Sequence, residues 1–389
     1  MFRKTAALAF IIMWAVCSAG LTYAQEMEFS GEVKTGMYWE QLQVKGMERD
    51  RSKTRMHNND DAGENQGRFR LNMHLTNDNI GIKSRFQQTM WSSASSILWE
   101  YAFAYGNFFD EQIKLVAGKL GESPWSAGGP DIWQELDNQV GIRTEYKPNY
   151  VPGLNIGFVL NGWNNSEYHR DRDDIWGDIL RETVLGVAYT HEYFHGRFSY
   201  RFDGDVDTGA GPMGDNQEGM ELMWRLEERI LKDYVDGFSI WANGWFRGLG
   251  GSMDNVFFRN WMYVQWAPEA FIAQLRLGLD NNQRKDSSTQ EILKRNVFKA
   301  RLSFYYNVLP ILAIGAAGNI EEEFGDGKVI KDAPYRSIGV EPQIRLNLAN
   351  GTYVAFVYSF THEYQLHPVT GESTTGTMHW MNLRTVFTF

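Results

Sequence analysis

Apolar and polar residues alternate along most of this chain, in segments of about ten residues. Within residues 67–76, Phe69, Leu71, Met73 and Leu75 fall on one face, and Arg68, Arg70, Asn72 and His74 on the other. Met220, Leu222, Trp224 and Leu226 oppose Glu221, Met223, Arg225 and Glu227 in the same way. Leu275, Leu277 and Leu279 oppose Gln274, Arg276, Gly278 and Asp280. Period two marks a strand whose two faces meet different surroundings. A helix is excluded here, because a charge at every second residue would leave it no apolar stripe.

The connectors alternate as well. Tight turns are expected at Asn77, Asp110, Ala267, Leu309 and Ala349, where the Asn350-Gly351 pair is a strong hairpin signal. Between them fall long polar connectors at 41–66, 121–139, 161–178, 204–217, 319–333 and 362–376. Short and long connectors in turn mean successive hairpins with one compact end and one elaborated end. A soluble β-sandwich or propeller has no need of that asymmetry, whereas a barrel with short periplasmic turns and long external loops does. The expected fold is therefore all-β: a transmembrane antiparallel up-and-down β-barrel of about eighteen strands, with sixteen the other count the pattern allows. It would begin near Phe29, end at Phe389 and form a single domain over residues 25–389. Trp39, Trp91, Trp99, Tyr101, Tyr105, Trp224, Trp261, Trp266, Tyr306 and Tyr358 are expected to supply its interfacial aromatic girdles.

Composition narrows the setting. The chain has 389 residues, 43% of them hydrophobic and 14% aromatic, which excludes low-complexity disorder. Its single cysteine, Cys17, lies in an N-terminal segment with a basic start at Arg3 and Lys4, an apolar run from Ala6 to Val16 and a small-residue site before Gln25. Residues 1–24 read as a signal peptide that is removed, its apolar run being too short to span a membrane. Trp14-Ala15-Val16 ahead of Cys17 is a poor lipobox, so ordinary cleavage is preferred to lipidation. Removal changes the formal charge from -10 to (38 − 2) − 48 = -12 and leaves no cysteine. A disulfide scaffold is excluded, and an acidic exported chain is not expected to bind nucleic acid.

Catalytic patterns are few in this series of strands. Residues 191–195, His-Glu-Tyr-Phe-His, match a zinc-hydrolase motif in spacing. That chemistry needs a helical turn to bring both imidazoles to one ion, and alternating strands flank the motif. His57, His169, His362 and His367 show no Ser-His or Asp-His spacing. The glycines after Arg247 lack a strand-to-helix context for phosphate. No catalytic residue, metal or cofactor is expected, and the chain is read as a non-enzyme. Glu321, Glu322 and Glu323 read as solvated external loop.

The C-terminal segment HWMNLRTVFTF, with Phe387 and the final Phe389 at alternate positions, resembles the last strand of bacterial outer-membrane β-barrel proteins of the porin superfamily. Thr385 departs from that pattern, where an apolar residue is more usual. With the leader and the hairpin series, the resemblance spans the whole mature chain. It implies that Phe387 and Phe389 form an assembly signal read by the barrel-assembly machinery. It also implies that the connector 121–139 folds into the lumen as a constriction loop. There Glu122, Asp131, Glu135 and Asp137 would present carboxylates, and Trp125 and Trp133 would pack against the wall. The polar strand face then becomes a basic channel lining of Arg68, Arg70, Lys83, Arg85, Arg143, Arg197, Arg225, Arg259, Arg276, Arg301, Arg345 and Arg384. A lipid-facing charge costs ~2–4 kcal/mol, which assigns these cations inward, and about half are expected to pair with wall acids such as Glu145, Glu221, Glu227 or Glu341.

The expected function is passive diffusion of small hydrophilic solutes through a charged constriction in the cell outer membrane. Trp241, Trp245 and Tyr263 on the inward side would suit a sugar-sliding track as a variant. The alternative is a surface adhesin or structural barrel that acts through its long loops. Membrane lipid, lipopolysaccharide, the assembly machinery and a homotrimer are the partners the resemblance implies.

Overall fold

The structure is a computed structural model, described here for residues 26–45, 51–58, 68–89, 97–121, 123–127, 140–163, 183–202, 220–231, 234–249, 256–285, 292–324, 335–349, 351–366 and 373–389. The expected signal peptide lies outside these residues. Among them, every regular element is a β-strand, and no helix is long and apolar enough to cross a membrane.

The wall opens with β1 (Glu26–Lys45), β2 (Arg51–Asn58) and β3 (Arg68–Asn77). It continues through β4 (Ile80–Thr89), β5 (Ile97–Phe108), β6 (Ile113–Lys119), β7 (Val140–Tyr146) and β8 (Leu154–Trp163). Next come β9 (Val184–Thr190), β10 (Phe194–Arg201), β11 (Met220–Glu228), β12 (Phe238–Leu249) and β13 (Val256–Trp266). The last are β14 (Phe271–Lys285), β15 (Ile292–Leu309), β16 (Leu312–Phe324), β17 (Tyr335–Ala349), β18 (Thr352–Leu366) and β19 (Ser373–Thr388). Successive strands pair antiparallel, except that β2 and β3 both pair with β1, and β19 returns to β1 from Glu32↔Thr388 to Lys45↔Thr375. The sheet has no free edge, as a strand structure in hydrocarbon requires.

Nineteen segments fill eighteen wall positions, because β2 and β3 lie end to end along β1. Met37–Val44 of β1 faces β2, and Glu26–Lys34 faces β3. The eighteen-strand count therefore holds. The expected long connectors are shorter than the sequence suggested. Residues 41–45 and all of β2 are strand within the expected 41–66 connector. Likewise β16 runs to Phe324, β18 to Leu366, and β19 starts at Ser373. The reason is that apolar alternation stops at the membrane edge while backbone pairing continues into water. Glu321, Glu322 and Glu323 are thus strand residues, each paired with a cation on a neighbouring strand. Glu321 meets Lys299 at 3.3 Å, Glu323 meets Arg295 at 2.9 Å, and Glu322 pairs with Arg336.

Burial runs opposite to that of a soluble protein. Ser303, Asn382, Asn243 and Glu221 are buried inside, whereas Leu302, Ile344, Leu383 and Phe356 are exposed outside. Such a surface is a membrane-spanning one, and closed β-barrels of this kind belong to outer membranes. Trp99, Trp266 and Tyr306 face outward as expected of a girdle. Tyr101, Tyr105 and Trp261 do not. A bulge between Arg85 and Phe86 pairs Phe86 with Trp99 and Arg85 with Tyr101, so the residues after Glu100 change face. Trp261 pairs with Asn243 and Gly278 on the inner side.

Candidate functional site: the braced lumen

Beyond β6 the chain turns into the barrel. Leu120, Gly121, Ser123, Trp125, Ser126 and Ala127 are all buried, and Trp125 is 0% exposed. Its indole lies over Gly157 and Gly186, which sit directly opposite each other on β8 and β9. A Cβ at Gly186 would overlap the indole, so glycine here makes room for the ring. A chain inside the lumen must also find partners for its carbonyls. Ser199 Oγ donates to the Trp125 carbonyl at 2.8 Å, and the Arg197 guanidinium donates to that of Ser126 at 3.3 Å. Arg143 donates to the Gly121 carbonyl at 3.0 Å. Glu122, Asp131, Trp133, Glu135 and Asp137 lie outside the described residues.

Most wall cations have partners. Arg143 and Glu145, 3% and 2% exposed, stand 3.0 Å apart and brace the wall beneath the inserted segment. Arg70 and Arg85 both approach Glu100, at 3.3 and 3.5 Å, and donate at 2.6 Å to Gln87 and Asn72. Arg259 holds Asp280 through two bonds of 2.8 and 3.0 Å, Arg225 lies 3.8 Å from Glu227, and Arg301 binds Glu341. Arg276 donates to Gln274 at 2.8 Å and lies opposite Arg301. Arg345 lies 3.8 Å over the Tyr353 ring. Lys83 is placed opposite His74 and Phe103, and Arg384 opposite Gly36 and Ala355. The Arg68 side chain lies outside the described residues.

Three wall arginines escaped the sequence reading, among them Arg295, which meets the buried Glu323. Arg201 and Arg247, both 5% exposed, converge on Glu221. Arg247 belongs to β12 and not to a glycine loop. Its parity with Trp241 and Trp245 was the available signal. Among the described residues, β9–β14 turn six arginines inward, at 197, 201, 225, 247, 259 and 276. They face three acids, Glu221, Glu227 and Asp280.

The same wall is aromatic. Trp241 and Tyr263 are register partners whose rings stack 4.9 Å apart at 7°. Arg225 lies 5.8 Å over Trp241 and Arg276 6.0 Å over Tyr263. Arg247 covers Trp245 at 5.1 Å, and Arg259 covers Phe257 at 5.2 Å. Trp245, Trp261 and Tyr263 join Trp125, Val159, Val184 and Met223 in one apolar cluster. The inserted segment and this wall therefore form a core inside the barrel, on one side of the lumen.

His191 lies in the β9–β10 turn and His195 in β10, so the helix that zinc chemistry requires is not formed. His195 Nδ1 lies 2.6 Å from Thr190 Oγ1, and its Nε2 accepts from Arg197 Nε at 2.6 Å. At the seam, Gly31 and Phe389 exchange backbone bonds of 2.8 and 3.1 Å, and the Phe389 ring covers Gly31. Phe387 pairs with Val33 and is exposed on the outer face.

No family description and no curated protein matches this chain. Similar solved structures include a loop L8 deletion mutant of OmpT, an outer membrane protein of Vibrio cholerae. It is 10% identical over 93% of this chain and 99% of its own, with a TM-score of 0.47. The outer membrane channel DcaP of Acinetobacter baumannii is 9% identical over 93% and 97%, with a TM-score of 0.47. A triple mutant of Rhodopseudomonas blastica porin is 12% identical over 93% and 100%, with a TM-score of 0.43.

Proposed function

We propose that this chain is an outer-membrane porin through which small hydrophilic solutes diffuse passively. The observation that carries the reading is the segment 120–127, folded inward with Trp125 sealed against Gly157 and Gly186. A barrel serving only as an anchor has no use for a segment that narrows its lumen. In this reading, size exclusion acts where segment 121–139 narrows the opening, with Glu122, Asp131, Glu135 and Asp137 as its carboxylate side. The wall arginines form the opposite side, so that charge is separated across the pore and polar solutes orient in its field. Lipid and lipopolysaccharide surround the barrel, the assembly machinery inserts it, and three copies associate. Swelling of liposomes that hold the refolded chain, in uncharged solutes of graded size, tests the reading. Rates should fall steeply with solute size; size-independent or absent swelling contradicts it.

A further inference from the structure

We infer that the inward face of β11–β14 is a subsite for planar organic anions, aromatic carboxylates above all. The inference rests on the channel reading, because the subsite faces the lumen. Its frame is the stack of Trp241 on Tyr263 with a guanidinium at each end, Arg225 and Arg276. A sugar track needs open ring faces on which a pyranose can slide. Here Tyr263 is 0% exposed and its faces are taken by neighbouring rings and Arg276, so the sugar-track variant loses its platform.

What the frame offers instead is donors. The guanidinium groups of Arg225 and Arg276 face the lumen, and behind them the indole N–H groups of Trp241, Trp245 and Trp261 are buried without an acceptor. Asn243, 0% exposed between Arg225 and Trp261 in register, has both amide atoms unpartnered. Indole and guanidinium groups donate hydrogen bonds and accept none. Solute carboxylate oxygens fit such a set, and a solute ammonium does not. The twofold excess of inward arginines over acids on β9–β14 favours the same sign.

The preference for a ring follows from the guanidinium geometry. A guanidinium is drawn to an aromatic face, and Arg225 and Arg276 already lie 5.8 and 6.0 Å over wall rings. Both arginines and Trp241 remain partly open to the lumen. A planar acid can place its ring against the open part of Trp241 while its carboxylate meets the Arg225 or Arg276 guanidinium. Trp245, Trp261 and Tyr263 share a cluster with Trp125, so the subsite starts where the lumen narrows.

Titration calorimetry on the detergent-folded full chain reads binding without requiring ion flow. Benzoate should bind, cyclohexanecarboxylate roughly tenfold more weakly, and benzylammonium not measurably. Arg276→Gln and Trp241→Leu should each weaken benzoate roughly tenfold. Arg336→Gln, on the outer face, should leave it unchanged. Equal binding of the two acids, no benzoate binding, or benzoate binding that survives both inward substitutions overturns the subsite. Benzoate binding in a barrel that passes no solute overturns the channel reading and upholds the subsite.

Discussion

Trp125 occupies the space that a side chain at Gly186 would fill. With the bonds from Arg143, Arg197 and Ser199, that contact ties the inserted segment to the wall, and a substitution on the wall can therefore move the segment. Gly186→Leu should expel the indole and raise single-channel conductance. Trp125→Ala should do the same and cost about 3–5 kcal/mol of stability by emptying the cluster. Near-UV circular dichroism should show the lost tryptophan environment in both variants.

Arg197 is held between an imidazole and the inserted segment. Its Nε donates to His195 and another nitrogen to the Ser126 carbonyl. The first bond exists only while His195 Nε2 carries no proton. Protonation of Nε2 breaks it and sets two cations against each other, so acidification should loosen the segment. Proteolysis of segment 121–139 in the refolded chain should speed up at acid pH. In His195→Phe it should be fast at every pH.

Glu221, 1% exposed, lies between Arg201 and Arg247. Removing a buried acid leaves its cations uncompensated, at a cost of about 3–5 kcal/mol. Glu221→Ala should lower the denaturant midpoint in lipid vesicles accordingly. The Arg247→Met/Glu221→Leu double variant should recover part of the loss. A double variant as unstable as Glu221→Ala contradicts the assignment.

Phe389 closes the seam through two backbone bonds to Gly31 and a ring over that glycine. If Phe389 serves as the assembly signal, deleting it should lower the amount of barrel in the outer membrane of cells. Purified chain should still fold into vesicles, because β1 and β19 keep the rest of their register. Equal cellular levels with and without Phe389 would remove its role as a signal.

The barrel was legible because its cause is periodic. Alternation at Leu71, Leu226 and Leu279 reports a lipid-facing surface directly, and the short turns report which end is compact. Misplaced aromatics show where that logic needs more than composition. Trp261 and Trp266 are five residues apart on one strand and must face opposite ways, so parity alone could have separated them. Tyr101 and Tyr105 could not be placed so, because the bulge at Glu100 is a matter of pairing between strands. The ends of β1, β16, β18 and β19 were hidden for a related reason. Outside the membrane both faces of a strand are wet, and the pattern that marks the strand disappears. At the inserted segment, Trp125 was legible as a packing residue, but its Gly157 and Gly186 bed was not. Those glycines become neighbours only through the register of β8 and β9.

The most direct test of the central claim is planar-bilayer recording of the refolded chain beside Gly186→Leu. The wild-type chain should give discrete conductance steps, and Gly186→Leu should give larger steps of the same kind. Absence of steps from a barrel shown to be folded would contradict the channel. Steps of identical size in the two proteins would contradict the inserted segment as its constriction.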